Sequence, residues 1–377
     1  MKLKYGLISV DDHVLEPPQL WTERLSSSRW GERVPHVEQS DAGEWWAVDD
    51  QKLPLAGRGS VGAALADRAT SPMRWADVPP QAHSPAERLK AMDADGVDAS
   101  VLYPTVAGLA GETFGKLADA ELELACVQAY NDWLLDEWAS ASPRFIPQCL
   151  VPLAPIEAAV AEIRRAVGKG HRGVIFPATP MLLRDLPHIN EPVYDPVWAV
   201  CQELEVPVCF HSGSSGRLEY PLYSELAPPL REALDVVNRP LATISVFSNV
   251  LYSHILIRHP GLKVVFADSS LGWGAYELEL ADHEFERQRL QEESGEVRPS
   301  ELFRRQCYLT GSYDQAGLGV REYIGVDNMM WETNFPQASS TWPRSWDYIS
   351  TSFGKFNVPE AERSKILAGN AAQLYKL

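Results

Sequence analysis

Short apolar runs recur along the chain, and most are followed by a segment with the apolar spacing of a helix. This alternation is typical of a parallel sheet in which helices connect successive strands. Eight strand–helix units favour an α/β fold of the closed (β/α)8 TIM-barrel class. The predicted strands cover residues 6–11, 98–103, 145–153, 173–176, 206–211, 263–268, 307–310 and 329–332.

Helices are predicted between and after these strands. The first opens at Ser84-Pro85, residue types that favour a helix start, and ends at Gly96, a residue type that favours a helix end. Apolar residues at helical spacing predict three more, over residues 117–139, 156–167 and 360–375.

Two segments interrupt the repeat. Residues 17–83, rich in Pro, Trp, Gly and Ser, separate the first strand from the first helix. So long a connection is usually functional, and we expect a capping insertion that covers the barrel mouth. A second extra segment spans residues 212–257. Without repeats or low-complexity tracts, residues 1–377 are expected to form a single metal-dependent barrel domain.

Composition excludes some partners. The chain has 51 acidic and 34 basic residues, a net charge of −17, which argues against nucleic acid because phosphate binding requires a positive field. It contains neither an export-type leader nor an apolar stretch of about 18 residues, so no membrane span is expected and the predicted location is cytoplasmic.

Polar residues with metal-binding side chains end several of the predicted strands. Asp11 and His13 end the first strand, and residues i and i+2 of a strand point the same way. Because the carboxyl ends of barrel strands meet at one face, the pattern predicts a metal site there. Taken alone, the Asp and His of the first strand could be a pair that caps a turn, and a single histidine could be a hydrogen-bonded core residue. The other candidates end the fifth, sixth and eighth strands: His211, Asp268, Glu332 and Asn334.

Several motifs resemble those of the amidohydrolase-related family of metal-dependent TIM barrels, which includes aminocarboxymuconate-semialdehyde decarboxylase. The resemblance implies that Asp11, His13 and His211 bind a metal. The motifs are Ser9 to Pro17, Phe210-His211, Arg258 to Ala267, Gly272-Trp273, Met330 to Pro336 and Thr341 to Pro343.

The chain also departs from the family pattern. Asn334 stands where the family usually has an acidic ligand, Asp268 stands where the decarboxylases have a histidine, and Glu332 lies two residues before Asn334. Four carboxylates and two imidazoles are the donors of a carboxylate-rich diiron centre. We therefore predict a two-iron site in which Asp268, Glu332 and Asn334 are catalytic and the ligands are Asp11, His13, Glu16, His211, Asp268 and Glu332, with Asn334 in reserve.

This donor set is similar to that of a nonheme diiron monooxygenase, an offshoot of the family that acts in platensimycin and platencin biosynthesis. The similarity implies dioxygen and an electron donor as co-reactants, and a bulky diterpenoid-like substrate carried as a CoA thioester. Family members commonly form dimers, so a homodimer is also expected. Candidate contacts for the CoA tail are the loop arginines Arg58, Arg68, Arg74 and Arg217.

Two alternatives stay open. A mononuclear zinc or manganese hydrolase or decarboxylase would need only Asp11, His13 and His211. A barrel without catalytic activity would only bind a ligand. The role of His254, which precedes the sixth strand, is also open.

Overall fold

The computed structural model of the protein describes residues 1–57, 59–65, 71–214 and 225–377. Eight of the strands in this part of the chain form one parallel sheet in the order β1-β5-β6-β7-β8-β9-β10-β11. The strands are β1 (Ile8–His13), β2 (His36–Ser40), β3 (Gly43–Val48), β4 (Gln51–Pro54), β5 (Ala99–Tyr103), β6 (Phe145–Cys149), β7 (Gly173–Ile175), β8 (Val208–His211), β9 (Val264–Ala267), β10 (Cys307–Gly311) and β11 (Met329–Trp331).

The sheet curls until its first and last strands meet. The His13 amide donates to the Phe335 carbonyl at 2.7 Å, and the Asn334 amide donates to the Asp11 carbonyl at 2.9 Å. These bonds join the end of β1 to the loop after β11, so the predicted (β/α)8 barrel is confirmed. They also place the two segments with the most candidate ligands side by side.

The helices surround the sheet. Residues 134–139 and 365–369 are π-helical turns that continue the α-helices ending at Trp133 and Ser364. The α-helices are α1 (Leu20–Arg24), α2 (Ser27–Trp30), α3 (Pro80–His83), α4 (Pro85–Asp95), α5 (Glu112–Gly115), α6 (Ala120–Trp133), α7 (Ile156–Lys169), α8 (Asp195–Leu204), α9 (Pro228–Tyr252), α10 (Ile255–Arg258), α11 (Gly272–Arg287), α12 (Gln291–Ser294), α13 (Pro299–Gln306), α14 (Gln315–Gly319), α15 (Arg321–Ile324), α16 (Ser345–Lys355), α17 (Glu360–Ser364) and α18 (Asn370–Leu374).

The segment after β1 contains a small antiparallel sheet, β2-β3-β4, that the sequence pattern did not reveal. It packs on the loops at the carboxyl ends of barrel strands. The Gln51 side chain donates to the Thr113 carbonyl at 2.9 Å, and the Ala63 amide donates to the Pro336 carbonyl at 3.0 Å. The insertion therefore lies on the side of the barrel that carries the candidate site.

The second extra segment contains a long helix. Helix α9 has 25 residues and lies between β8 and β9. Its middle carries Arg239, whose side chain reaches the carboxyl end of β9. Helix α9 therefore brings a cation to the barrel mouth.

All five cysteines are buried and free. No helix in the described ranges is both long enough and apolar enough to cross a bilayer.

Candidate metal centre

Three buried side chains converge at the carboxyl ends of β1 and β8. Asp11 Oδ1 lies 3.3 Å from His13 Nε2, and Asp11 Oδ2 lies 3.1 Å from His211 Nε2. The two Nε2 atoms are 3.2 Å apart. Within the part of the chain that the structure describes, these three side chains form a group whose potential metal-binding atoms all lie close together.

The spacing fits a single divalent cation. Donor atoms bound about 2.1 Å from one ion, at tetrahedral to octahedral angles, lie about 3.0 to 3.4 Å from one another. The observed separations of 3.1 to 3.3 Å fall within that range. Two imidazoles and a carboxylate suit zinc, manganese or iron.

The carboxylate of Asp11 gives a second indication of a metal site. Both of its oxygens are buried without a hydrogen-bond donor. Burial raises the pKa of Asp11, but the charges of His211 and His13 outweigh burial and lower it. Burial lowers the pKa of His211, and its pairing with Asp11 reverses that effect and raises it. An anion with no donor is what a bound cation would stabilise.

Neighbouring groups hold His13 in place. Its Nδ1 lies 3.0 Å from the Pro104 carbonyl, so a proton on Nδ1 leaves Nε2 free to bind a metal. Burial lowers the pKa of His13 to about 4, which favours the neutral, ligating form. The Tyr103 ring packs against both imidazoles, 5.9 Å from His13 and 5.3 Å from His211 between ring centroids.

A bulge in β1 adds a second anchor. Ser9 pairs with Ser100 and Asp12 with Leu102, so β1 contains one more residue than β5 across this interval. Buried Asp12 accepts hydrogen bonds that connect β1, β5 and the loop after β11, and these fix the backbone on both sides of the ligands. The donors are Ser9 Oγ, Ser100 Oγ, Thr333 Oγ1 and the Phe335 amide.

Glu16, predicted as a ligand, lies outside the cluster. Its carboxylate accepts from three consecutive amides of the loop after β5: Thr105 at 3.2 Å, Val106 at 2.8 Å and Ala107 at 3.1 Å. Burial raises the pKa of Glu16 to about 7, and the amide donors oppose that rise. Its oxygens are thus occupied by backbone donors.

Asp268 is also outside the cluster and has a cation of its own. Arg239 Nη1 lies 2.8 Å from Asp268 Oδ2, and Ser212 Oγ donates to the same oxygen at 3.1 Å. The Asn334 side-chain amide donates to Asp268 Oδ1 at 3.2 Å. The charge of Asp268 is therefore balanced without a second metal ion.

Glu332 directly follows β11 and is buried. Its Oε2 accepts from the Thr310 hydroxyl and, at 3.2 Å, from the Asp268 amide. Burial and the negative charges of Asp11 and Asp268 raise its pKa well above the usual value. This side chain is a carboxyl group that favours its protonated form.

The strand ends around these residues are conformationally unusual. Asp268 and Asn334 have φ values of 52° and 55°, in the left-handed region that Asp and Asn tolerate better than most residues. Such conformations are concentrated at functional sites. The Asn334 Oδ1 atom is buried and accepts no hydrogen bond from the described residues, so this acceptor oxygen remains available.

The family of this protein follows from a comparison with protein-family models. A model described as amidohydrolase matches residues 34–377, so the chain belongs to the amidohydrolase family. The match begins after β1, and the role of Asp11 and His13 therefore rests on geometry.

The chain is also similar to individual proteins whose activity or structure is known. The chain is 25% identical over 307 residues to the gamma-resorcylate decarboxylase of Rhizobium sp. strain MTP-10005, covering 77% of this chain and 86% of the relative. An amidohydrolase structure from Mycobacterium avium subsp. paratuberculosis K-10 aligns over 100% of this chain and 99% of its own, with a TM-score of 0.76 and 21% identity. The structure of a Polaromonas sp. JS666 dihydroxybenzoic acid decarboxylase, with bound manganese and the inhibitor 2-nitroresorcinol, aligns over 99% of this chain and 98% of its own. Its TM-score is 0.64 at 18% identity.

These findings correct the sequence interpretation. Family membership is confirmed, but the prediction of a diiron monooxygenase is wrong, because the curated relatives are decarboxylases. The dioxygen, electron donor and CoA thioester that this hypothesis implied are not supported by these relatives. The physical reason is that amides hold Glu16 and Arg239 neutralises Asp268, so these charges require no second ion.

Sequence reasoning missed Arg239 and Thr310, the side-chain partners of Asp268 and Glu332. Arg239 comes from a helix 29 residues before its partner Asp268, and no motif marks it. Of the loop arginines proposed earlier, Arg74 is exposed, whereas Arg58, Arg68 and Arg217 lie outside the described residues.

Glu16→Gln tests the structural role of that residue. The Gln side chain would point an NH2 group at amide donors, so we expect the free energy of unfolding to fall by about 1–3 kcal/mol while metal content per chain stays unchanged. Denaturant unfolding and elemental analysis measure the two quantities. Exposed Glu157→Gln is the matched control. Loss of metal with unchanged stability would show that Glu16 is a ligand.

Proposed function

We propose that this protein is a decarboxylase that uses one divalent ion, manganese or zinc, and acts on a small hydroxylated aromatic acid. The observation that carries the proposal is the convergence of Asp11, His13 and His211 on one point. The gamma-resorcylate decarboxylase relatives support the reaction, and the manganese in the Polaromonas structure supports the choice of metal.

Asp11, His13 and His211 would hold the ion, with Asn334 Oδ1 as a neutral fourth donor. When bound, the cation supplies positive charge beside the oxygens of the substrate. The fit rests on the donor spacing and on the Asp11 oxygens that lack hydrogen-bond donors.

Arg239 is positioned to recognise the acid group. Together with Asp268, Glu332 and Asn334 it lines a small cavity, called the inner pocket below. About a third of the Arg239 side chain is exposed. An arginine binds a planar carboxylate through two parallel hydrogen bonds. A substrate carboxylate can therefore take a place at Arg239 next to Asp268.

Glu332 supplies the proton. Decarboxylation of an aromatic acid adds a proton to the ring carbon that bears the carboxylate; the carbon–carbon bond then breaks, its electron pair returns to the ring, and carbon dioxide leaves. A carboxyl group kept protonated by burial can give that proton and regain one from solvent. Glu332, which lines the same pocket as Arg239, has those properties.

The strand-end residues favour decarboxylation over hydrolysis. Hydrolysis requires a base that takes a proton from water. At the mouth of the described barrel, Asp268 is paired with Arg239, and an amide stands at Asn334. Glu332, whose pKa is raised by burial, is a candidate acid where a hydrolase would need a base.

Purified protein incubated with 2,6-dihydroxybenzoate and Mn²⁺ is expected to release carbon dioxide without consuming dioxygen. Chelation should abolish the activity, and added Mn²⁺ or Zn²⁺ should restore it, because the substrate oxygens need the cation. Gas analysis and an oxygen electrode measure the two gases. Oxygen uptake coupled to product, or activity indifferent to chelation, would contradict the proposal.

Glu332→Gln keeps the size of the side chain but removes the transferable proton. We expect kcat to fall by about 10²- to 10⁴-fold, with KM and metal content close to wild type. Steady-state kinetics and elemental analysis give the three quantities, and exposed Glu279→Gln serves as the control. If kcat stays within twofold of wild type, Glu332 is not the acid.

A further inference from the structure

A groove outside the inner pocket lies between the loop after β11 and helix α16. Its free volume is about 650 Å³, and its lining includes Tyr313, Gln315, Ser339, Arg344, Tyr348 and Thr351. The inner pocket offers about 40 Å³. Since one water needs roughly 10–15 Å³ by this measure, the inner pocket accommodates a group the size of a carboxylate, not a ring.

The groove continues from the inner pocket. Tyr313 and Ser339 line both spaces. The Asn334 side-chain amide lies 3.4 Å from Ser339 Oγ, which connects the groove to the candidate catalytic residues. A ligand with its acid group beside Arg239 and Glu332 would therefore place the acid-bearing ring at Tyr313, where the two spaces meet, and any further ring in the groove.

The lining of the groove indicates what fits there. Tyr313 is 50% exposed and Tyr348 is 42% exposed, so both offer aromatic surface to a ligand. The hydroxyl residues Ser339 and Thr351 also line the groove. Aromatic surface and hydroxyl groups favour a hydroxylated ring as the occupant of the groove.

We propose that this groove is a distal substrate subsite that selects a second, hydroxylated ring attached to the acid-bearing ring. The inference rests on the proposed function for the placement of the acid group. It makes the preferred substrate a two-ring phenolic acid instead of a single-ring one, with Tyr348 as a specificity-determining residue.

The test compares two acids on the Mn²⁺-loaded protein by calorimetric titration: 2,6-dihydroxybenzoate and its 4-(4-hydroxyphenyl) derivative. We expect the two-ring acid to bind at least about 5-fold more tightly, as an added aromatic contact provides. Tyr348→Leu should remove most of this advantage without changing the Kd of the single-ring acid. Tyr276→Leu, at an exposed tyrosine on α11, should change neither.

Equal affinity of the wild-type protein for the two acids would overturn the subsite. So would a Tyr348→Leu protein that keeps the full preference for the two-ring acid. Carbon dioxide release, measured separately, tests the proposed function. If neither acid is decarboxylated but the preference depends on Tyr348, the function fails and the subsite stands; if both are decarboxylated without preference, the reverse holds.

Discussion

The buried carboxylate of Asp11 is the constraint on which the site depends. Its oxygens lack hydrogen-bond donors and lie against two imidazole nitrogens. An isolated anion in such a place costs several kcal/mol, so the surroundings must supply positive charge. Under the proposed function, a divalent cation held by Asp11, His13 and His211 would supply that charge.

Barrel closure keeps these ligands in position. The backbone bonds between the end of β1 and the loop after β11 hold Asp11 and His13 beside Asn334 and Glu332. Asp12, where regular pairing resumes after the bulge, accepts hydrogen bonds from β5 and from the loop after β11. The first and last strands are distant in sequence, yet these bonds bring the candidate ligands Asp11 and His13 to the segment that carries the candidate acid Glu332.

Much of the barrel could be predicted because apolar strands and amphipathic helices alternate clearly. The alternation of Asp11 and His13 likewise predicted that they would face one point, and strand position predicted that His211 would join them. The count of carboxylates led to a two-iron hypothesis that the comparisons do not support, since it assumed that each buried acid needs a metal. The partners that satisfy Glu16 are backbone amides, which no side-chain pattern marks. Arg239 comes from a helix whose place at the mouth depends on tertiary packing.

The most direct test of the single-ion centre is diffraction at the manganese absorption edge from crystals grown with Mn²⁺. A single-ion centre predicts one anomalous peak per chain, about 2.0–2.3 Å from Asp11 Oδ, His13 Nε2 and His211 Nε2. Two peaks about 3.5–4 Å apart, the spacing of a two-metal centre, would contradict it, as would a single peak bound by Asp268 and Glu332 instead.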